Sequence, residues 1–264
     1  MPELPEAEAN RLRVERDCLH RTIEAAEPGD DTSYIELPGD NERARLVGHQ
    51  FTRTHRHGKL IFAGSESGPW ICVHLGMSGS LRPFDEADGP PDYAKFLIRF
   101  EGERRLAFRC PRKLGWVRVV DSPEAEIERI GFGPDALEIG RDAFAEVIGE
   151  SRGAIKSALI EQKKLAGVGN LWSDEILYRT GIDPERKDRS CRQPARRHLR
   201  CDARHPACGG RDGSGLQQAA RRLADPHPRR RCGMPAMRRH DHADQGGRAQ
   251  RFSLHPPPGI APRS

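Results

Sequence analysis

Several patterns are missing from this chain of 264 residues. No stretch of about 18 consecutive apolar residues occurs, so there is no candidate transmembrane helix. The N-terminus has neither the basic segment nor the apolar core of a secretory signal, and a cytoplasmic location is expected. No Cys-x-x-Cys pair is present, which removes the spacing by which paired thiolates hold zinc. Seven cysteines, an odd number at irregular intervals, do not make a disulfide framework, and reduced thiols are expected in that compartment. A strong excess of one sign of charge is also missing. The 44 Lys and Arg against 39 Asp and Glu leave a formal net charge of +5, which permits a polyanionic partner without requiring one. The length suffices for two modest domains with cores of their own.

What is present begins with Met1-Pro2-Glu3-Leu4-Pro5-Glu6. Removal of Met1 would expose the secondary amine of Pro2 beside the carboxylate of Glu3. An α-amino group has a reference pKa near ~7.7–8.0, well below the ~10.4 of lysine, so much of it is neutral and nucleophilic near neutral pH. Such an amine attacks an aldehyde or acetal carbon to form an iminium, and Glu3 can move the proton this requires. The plain alternative is a start codon followed by a small residue, with Pro5 and Glu6 opening a helix.

The hydrophobic pattern predicts an α+β protein. Leu4 to Leu19 carries apolar residues on one helical face. Short apolar runs separated by turn residues follow at 50–54, 59–62, 69–75, 96–100, 105–108 and 116–120, as in a β-sandwich or barrel. From Ala143 to about Tyr178 the pattern becomes helical, with a break at Ala166-Gly167-Val168-Gly169-Asn170. The expected organisation is a β-sandwich domain at 1–133 with flanking helices, a helical domain at 134–186, and a tail at 187–264. The first two meet at the loop Gly131-Phe132-Gly133-Pro134-Asp135.

Four glycine-containing segments are candidate contact loops. His74-Leu75-Gly76-Met77-Ser78-Gly79 sets an unbranched apolar side chain between glycines, suited either to wedging into a partner or to filling the core beneath a hairpin. Cys110-Pro111-Arg112-Lys113-Leu114-Gly115 places two cations beside an apolar residue, as in a groove-inserting loop or a solvated turn. In His55-Arg56-His57-Gly58-Lys59, Lys59 is either a phosphate contact or a strand-edge charge. The Gly167–Asn170 segment opens a helix whose free N–H groups suit a phosphate, or it is a tight helix connection with Asn170 as N-cap.

Taken together, and in this order along the chain, these motifs resemble the formamidopyrimidine-DNA glycosylase and endonuclease VIII family of base-excision repair enzymes. The resemblance runs from Met1 to about Arg186. It implies an N-terminal β-sandwich, a helix-two-turns-helix domain and a C-terminal zinc finger, and a monomer acting on damaged double-stranded DNA in a nucleoid of bacterial type. It also implies a bifunctional enzyme that removes oxidised bases of the formamidopyrimidine and 8-oxoguanine type and then cleaves the abasic site. In that scheme Pro2 is the nucleophile, Glu3 its acid/base partner, and Lys59 a proton-transfer and phosphate-contacting residue. Met77, Arg112 and Leu114 match the residues that fill the gap left by a flipped base, Asn170 matches a phosphate contact, and Lys156 a backbone contact. Two positions depart from the formamidopyrimidine type: Leu114 stands where phenylalanine is usual, and Tyr93 stands near a usual histidine.

The family pattern stops before the tail. Residues 187–264 hold 17 Arg and one Lys but no Glu, Val, Trp or Tyr, and apolar periodicity vanishes, a composition expected to be disordered. The Zn²⁺ that the resemblance implies has no ligand pairs here. Met234-Pro235-Ala236-Met237-Arg238 suggests a cause. It is encoded ATG-CCN-GCN-ATG, followed by CGN in the commoner arginine codon family. Read one base later, both ATG-C junctions give TGC, so the next frame carries Cys-x-x-Cys where the finger belongs. The tail is therefore expected to be out of frame, and the alternative function, with the finger lost, is an inactive or weakly DNA-binding pseudo-enzyme. A metal site built from Cys201, Cys208, Cys232, His240 and His242 is the competing idea, disfavoured by irregular spacing.

Overall fold

The computed structural model describes residues 1–151 and 153–185. The tail, its cysteines and histidines, and the Met234–Met237 segment lie outside the described residues.

The first part of the chain is an α+β unit built on two four-stranded antiparallel sheets. Helix α1 (Leu4–Cys18) comes first, with Pro5 in its opening turn where no backbone donor is lost. The glutamate pair at its start caps it: the Glu3 N–H donates to the Glu6 carboxylate at 2.9 Å. One sheet has the order β2 (Arg53–His57), β3 (Leu60–Gly64), β4 (Trp70–His74), β8 (Trp116–Val120). The other runs β1 (Ile23–Pro28), β6 (Ala94–Phe100), β7 (Arg104–Arg109), β5 (Ser80–Asp85). A short helix α2 (Asp40–Ala44) precedes β2, and α3 (Pro123–Ile130) follows β8.

Burial explains why β3 and β4 are apolar throughout. Ile61, Ala63, Ile71 and Val73 face a core that includes Phe96, Ile98, Phe100, Leu106 and Phe108 of the other sheet and Ala7, Val14 and Cys18 of α1. Their alternating neighbours Leu60, Phe62, Trp70 and Cys72 form a second cluster with Ile127 and Ile130 of α3. Both faces of these strands are thus covered, and the period-2 alternation of a half-exposed strand disappears. Cys18, Cys72 and Cys110 are free thiols inside this core, and burial pushes the Cys18 thiol up to about 12.

The helical part comprises α4 (Arg141–Gly149), α5 (Ile155–Ile160) and α6 (Asn170–Thr180). Leu159, Leu165, Val168 and Leu177 are buried together, with Phe144, Ile148 and Trp172 packed against them.

Several elements differ from the sequence expectations. The run expected at 50–54 is a strand three residues later, at Arg53–His57. Strands β1 and β5 and helices α2 and α3 carry no clear apolar signal. The loop at 131–135 is more than a connector, because Asp135 is buried and ion-paired to Arg56 of β2.

Candidate active site and nucleic-acid interface

Strand register gathers the candidate residues at one end of the two sheets. Leu60 opens β3 opposite His74, the last residue of β4, which in turn lies opposite Trp116, the first residue of β8. In the other sheet Ser80 opens β5 opposite Arg109, the last residue of β7, and Arg109 faces Ala94 at the start of β6. The segments carrying Lys59, Met77, Tyr93, Arg112 and Leu114 therefore all leave the strands at this end.

Two of these loops are stitched together. Arg112 N–H donates to Ser78 Oγ at 3.3 Å. Gly76, at φ +62, lets the chain pass so closely that a Cβ there would lie 2.4 Å from the Leu114 carbonyl. Apolar side chains nevertheless point outward: Met77 is 40% exposed and Leu114 53% exposed, and Arg112 is exposed beside them. Met77 is not core filler. Tyr93, 57% exposed, lies beneath the Arg109 guanidinium at 5.4 Å, and its carbonyl accepts the Cys110 N–H at 3.0 Å.

The N-terminal residues reach the same end by docking on α6. Glu3 is only 2% exposed, yet its carboxylate is fully used. It accepts N–H groups from Gly169 at 2.8 Å, Leu171 at 2.9 Å and Trp172 at 3.2 Å. These are the donors that the start of a helix leaves without intrahelical partners, and the positive end of the helix dipole favours a carboxylate there. Leu4 N–H adds a bond to the Gly167 carbonyl at 3.2 Å. Gly169, not Asn170, occupies the N-cap position. A Cβ at Gly169 would lie 2.5 Å from Glu3 Oε1 and 2.7 Å from Lys59 Nζ, so only glycine fits between the two charged groups. Asn170 follows immediately, with an exposed side chain that makes no hydrogen bond among the described residues.

Lys59 forms no ion pair or hydrogen bond among the described residues. Burial lowers its pKa, partly offset by the charges of Glu3 and Glu6. Beside it stands His74, a residue the sequence alone did not single out. Its ring stacks on Trp116 at 5.7 Å, and its Nδ1 is buried with no hydrogen-bond partner among the described residues. Burial, with the nearby Lys59 and Arg118 charges, lowers the His74 pKa.

The turn that carries Lys59 is held from below. The Arg56 guanidinium binds both carboxylate oxygens of Asp135, bonds the Gly58 carbonyl at 3.1 Å, and meets Glu8 at 3.1 Å. Asp135 also accepts the Gly58 N–H at 2.6 Å and the Leu137 N–H at 2.9 Å. Burial would raise the Asp135 pKa, but the Arg56 hydrogen bonds and charge with the two N–H donors outweigh it and hold the carboxyl below its ordinary value. This network joins residues 79 positions apart, and no local pattern announces it.

Lys156 is the exception among the expected contacts. Its ammonium is held by Asp174 of α6 at 2.6 Å rather than standing free. No group of three or more His, Cys, Asp or Glu among the described residues could hold a metal ion. The residues described do not fit a zinc site.

Comparison with known proteins places this architecture. Residues 1–117 match the model of the formamidopyrimidine-DNA glycosylase N-terminal domain, and residues 130–204 match that of its H2TH domain. A formamidopyrimidine-DNA glycosylase of Stutzerimonas stutzeri is 33% identical over 190 residues, covering 70% of this chain and 69% of that protein. One from Gluconobacter oxydans is 35% identical over 196 residues, covering 71% and 69%. One from Arabidopsis thaliana is 30% identical over 201 residues and covers 70% of this chain, which spans only about half, 51%, of that relative. Among solved structures, Lactococcus lactis formamidopyrimidine-DNA glycosylase bound non-covalently to DNA containing an AP site superposes with a TM-score of 0.63 at 24% identity, over 70% of this chain and 72% of that one. That likeness bears on the fold. With two family domains matched in order, and bacterial relatives at a third identity over more than two thirds of their length, the chain belongs to the formamidopyrimidine-DNA glycosylase family.

Proposed function

We propose that this chain is a bifunctional DNA glycosylase that excises an oxidised base through a Schiff base on Pro2 and then cleaves the strand by β-elimination. The observation that carries the proposal is the convergence of Glu3 and Lys59 on Gly169, directly beside Pro2. Here Met1, 62% exposed, still blocks the Pro2 nitrogen as an amide, so its removal is the first requirement.

The chemistry needs the Pro2 amine, the neighbouring side chains and water. The Pro2 nitrogen attacks C1′ of the damaged nucleotide, the bond from C1′ to the base breaks, and the departing base takes up a proton. The ring oxygen is protonated as the sugar opens, and the resulting iminium withdraws electrons from C2′. Loss of the C2′ proton to a base expels the 3′ phosphate oxygen, and water then releases the amine. Glu3 and Lys59 are the groups placed to move these protons.

The remaining residues fit binding a kinked duplex. Met77, Arg112 and Leu114 supply a wedge that offsets unstacking, a cost of a few kcal/mol. Lys59 and Asn170 offer contacts to phosphate, Tyr93 is an additional exposed contact, and Lys156 would contribute only by exchanging Asp174 for phosphate. One feature favours a second reading, that of a pseudo-enzyme: the sequence has no Cys-x-x-Cys pair with which to build the zinc finger.

Borohydride reduction in the presence of duplexes carrying 8-oxoguanine, formamidopyrimidine, an oxidised pyrimidine or an abasic site distinguishes the two. A covalent protein–DNA complex on at least one duplex is expected, and Pro2→Gly is expected to weaken it. Salt-sensitive binding without lesion preference or trapping would establish the pseudo-enzyme instead. An intact mass of the native product decides whether the tail is translated as written.

A further inference from the structure

An exposed aromatic side chain stands on a loop hydrogen-bonded to the one that carries Arg112 and Leu114. Residues 29–35 leave β1 at the same end of the sheets. Gly29 N–H donates to the Lys95 carbonyl at 2.9 Å, and Glu36 then bridges to Trp116 at the start of β8. Two lysines hold this loop in place. Lys95, 3% exposed, donates from Nζ to the carbonyls of Asp30 at 2.8 Å and Asp31 at 3.1 Å. Lys113, which stands between Arg112 and Leu114, donates from Nζ to Asp31 Oδ1 at 2.6 Å and Ser33 Oγ at 3.2 Å. The two loops are therefore one hydrogen-bonded unit.

Tyr34 projects from this unit with 99% of its surface exposed. Its backbone is left-handed at φ +65, a conformation a bulky side chain rarely adopts. Five non-glycine residues among those described have positive φ, and four of them, Asp31, Tyr34, Tyr93 and Lys113, belong to this end of the molecule. Strain of this kind persists only where the surroundings impose it, typically at binding or catalytic sites. Neither the strain nor an aromatic ring in water contributes to folding.

We propose that Tyr34 is a stacking contact for a nucleobase that becomes unstacked beside the Arg112–Leu114 loop. The inference rests on the glycosylase reading above. Leu114 fills space but has no π-face. Tyr34 supplies an aromatic plane on the neighbouring loop, which the Lys113–Asp31 ion pair ties to the loop carrying Leu114. Stacking needs the ring and not the hydroxyl, so Tyr34→Phe should behave as the unsubstituted chain.

The test uses the full chain and a duplex carrying a tetrahydrofuran abasic analogue, with 2-aminopurine flanking the analogue or opposite it. Tyr34→Ala is expected to weaken binding about tenfold and to change the 2-aminopurine fluorescence of the complex, while Tyr34→Phe changes neither. Thermal unfolding should be unaffected in both, and Tyr34→Gly, which accepts positive φ freely, should be no less stable than the original. Equal affinity and unchanged fluorescence for Tyr34→Ala, with the original chain binding normally, would overturn this inference alone. Failure of the original chain to bind the duplex would overturn the glycosylase reading and this inference with it.

Discussion

Glu3→Gln is expected to reduce the rate of borohydride trapping by about 10²–10⁴-fold, the usual contribution of a positioned acid/base group. The substitution keeps the size of the side chain but changes what it presents to α6. Three N–H donors, from Gly169, Leu171 and Trp172, converge on the carboxylate oxygens. An amide can offer only one acceptor oxygen and must turn an NH₂ group toward other donors. Hydrogen bonds to charged groups contribute about 1.5–3 kcal/mol each, so some loss of stability accompanies the loss of chemistry. The two effects separate experimentally. Single-turnover trapping at saturating protein, at a temperature where both proteins are folded, reports the chemistry. Urea unfolding reports the docking of α1 on α6. A variant that is destabilised yet traps at the original rate would confine Glu3 to a structural role.

The second large effect is expected at Asp135. Replacement by alanine removes the partner of a guanidinium whose side chain is 6% exposed, and leaving one member of a buried pair alone costs about 3–5 kcal/mol. Glu8 remains 3.1 Å from Arg56, which places the expectation at the lower end of that range, at about 3 kcal/mol. The urea midpoint should fall with an unchanged slope. Because the Gly58 N–H also loses its acceptor, the turn that sets Lys59 loosens, and trapping should weaken even where the protein is folded. The pH dependence follows from the lowered Asp135 pKa. A carboxyl whose folded pKa lies below its unfolded value contributes stability that is complete above about 3.9, the ordinary aspartate value, and is lost as pH falls through the folded value. Asp135→Asn should therefore be less stable near neutrality and lose less further stability on acidification.

The sequence made some of this visible and hid the rest for definite reasons. Strands β3, β4, β6, β7 and β8 are apolar runs because their residues are buried, β3 and β4 on both faces. Strand β1, Ile-Glu-Ala-Ala-Glu-Pro, lies at a sheet edge and is mostly exposed, so it carries little apolar signal. Strand β5 contains Pro83, which argues against a strand in a sheet interior but is tolerated at the edge that β5 occupies. Strand β2, also an edge, buries only Arg56, and its charged sequence drew the expected strand onto the preceding residues. At the candidate site, Pro2 and Glu3 stood out as an N-terminal amine beside a carboxylate, and Lys59, Met77, Arg112, Leu114 and Asn170 through glycine-containing motifs. Asp135, His74 and Tyr34 did not, because their significance depends on partners or surroundings fixed only by the fold: Arg56 across the chain, Trp116 on the next strand, and Lys113 beneath the loop.

Whether the Pro2 amine is the nucleophile is decided by locating the covalent bond. The borohydride-trapped complex would be digested with protease and nuclease and the modified peptide sequenced by mass spectrometry. A reduced deoxyribose remnant on the nitrogen of Pro2, in a peptide that has lost Met1, is the result expected. A remnant on Lys59 or another lysine, with the N-terminus unmodified, would contradict it.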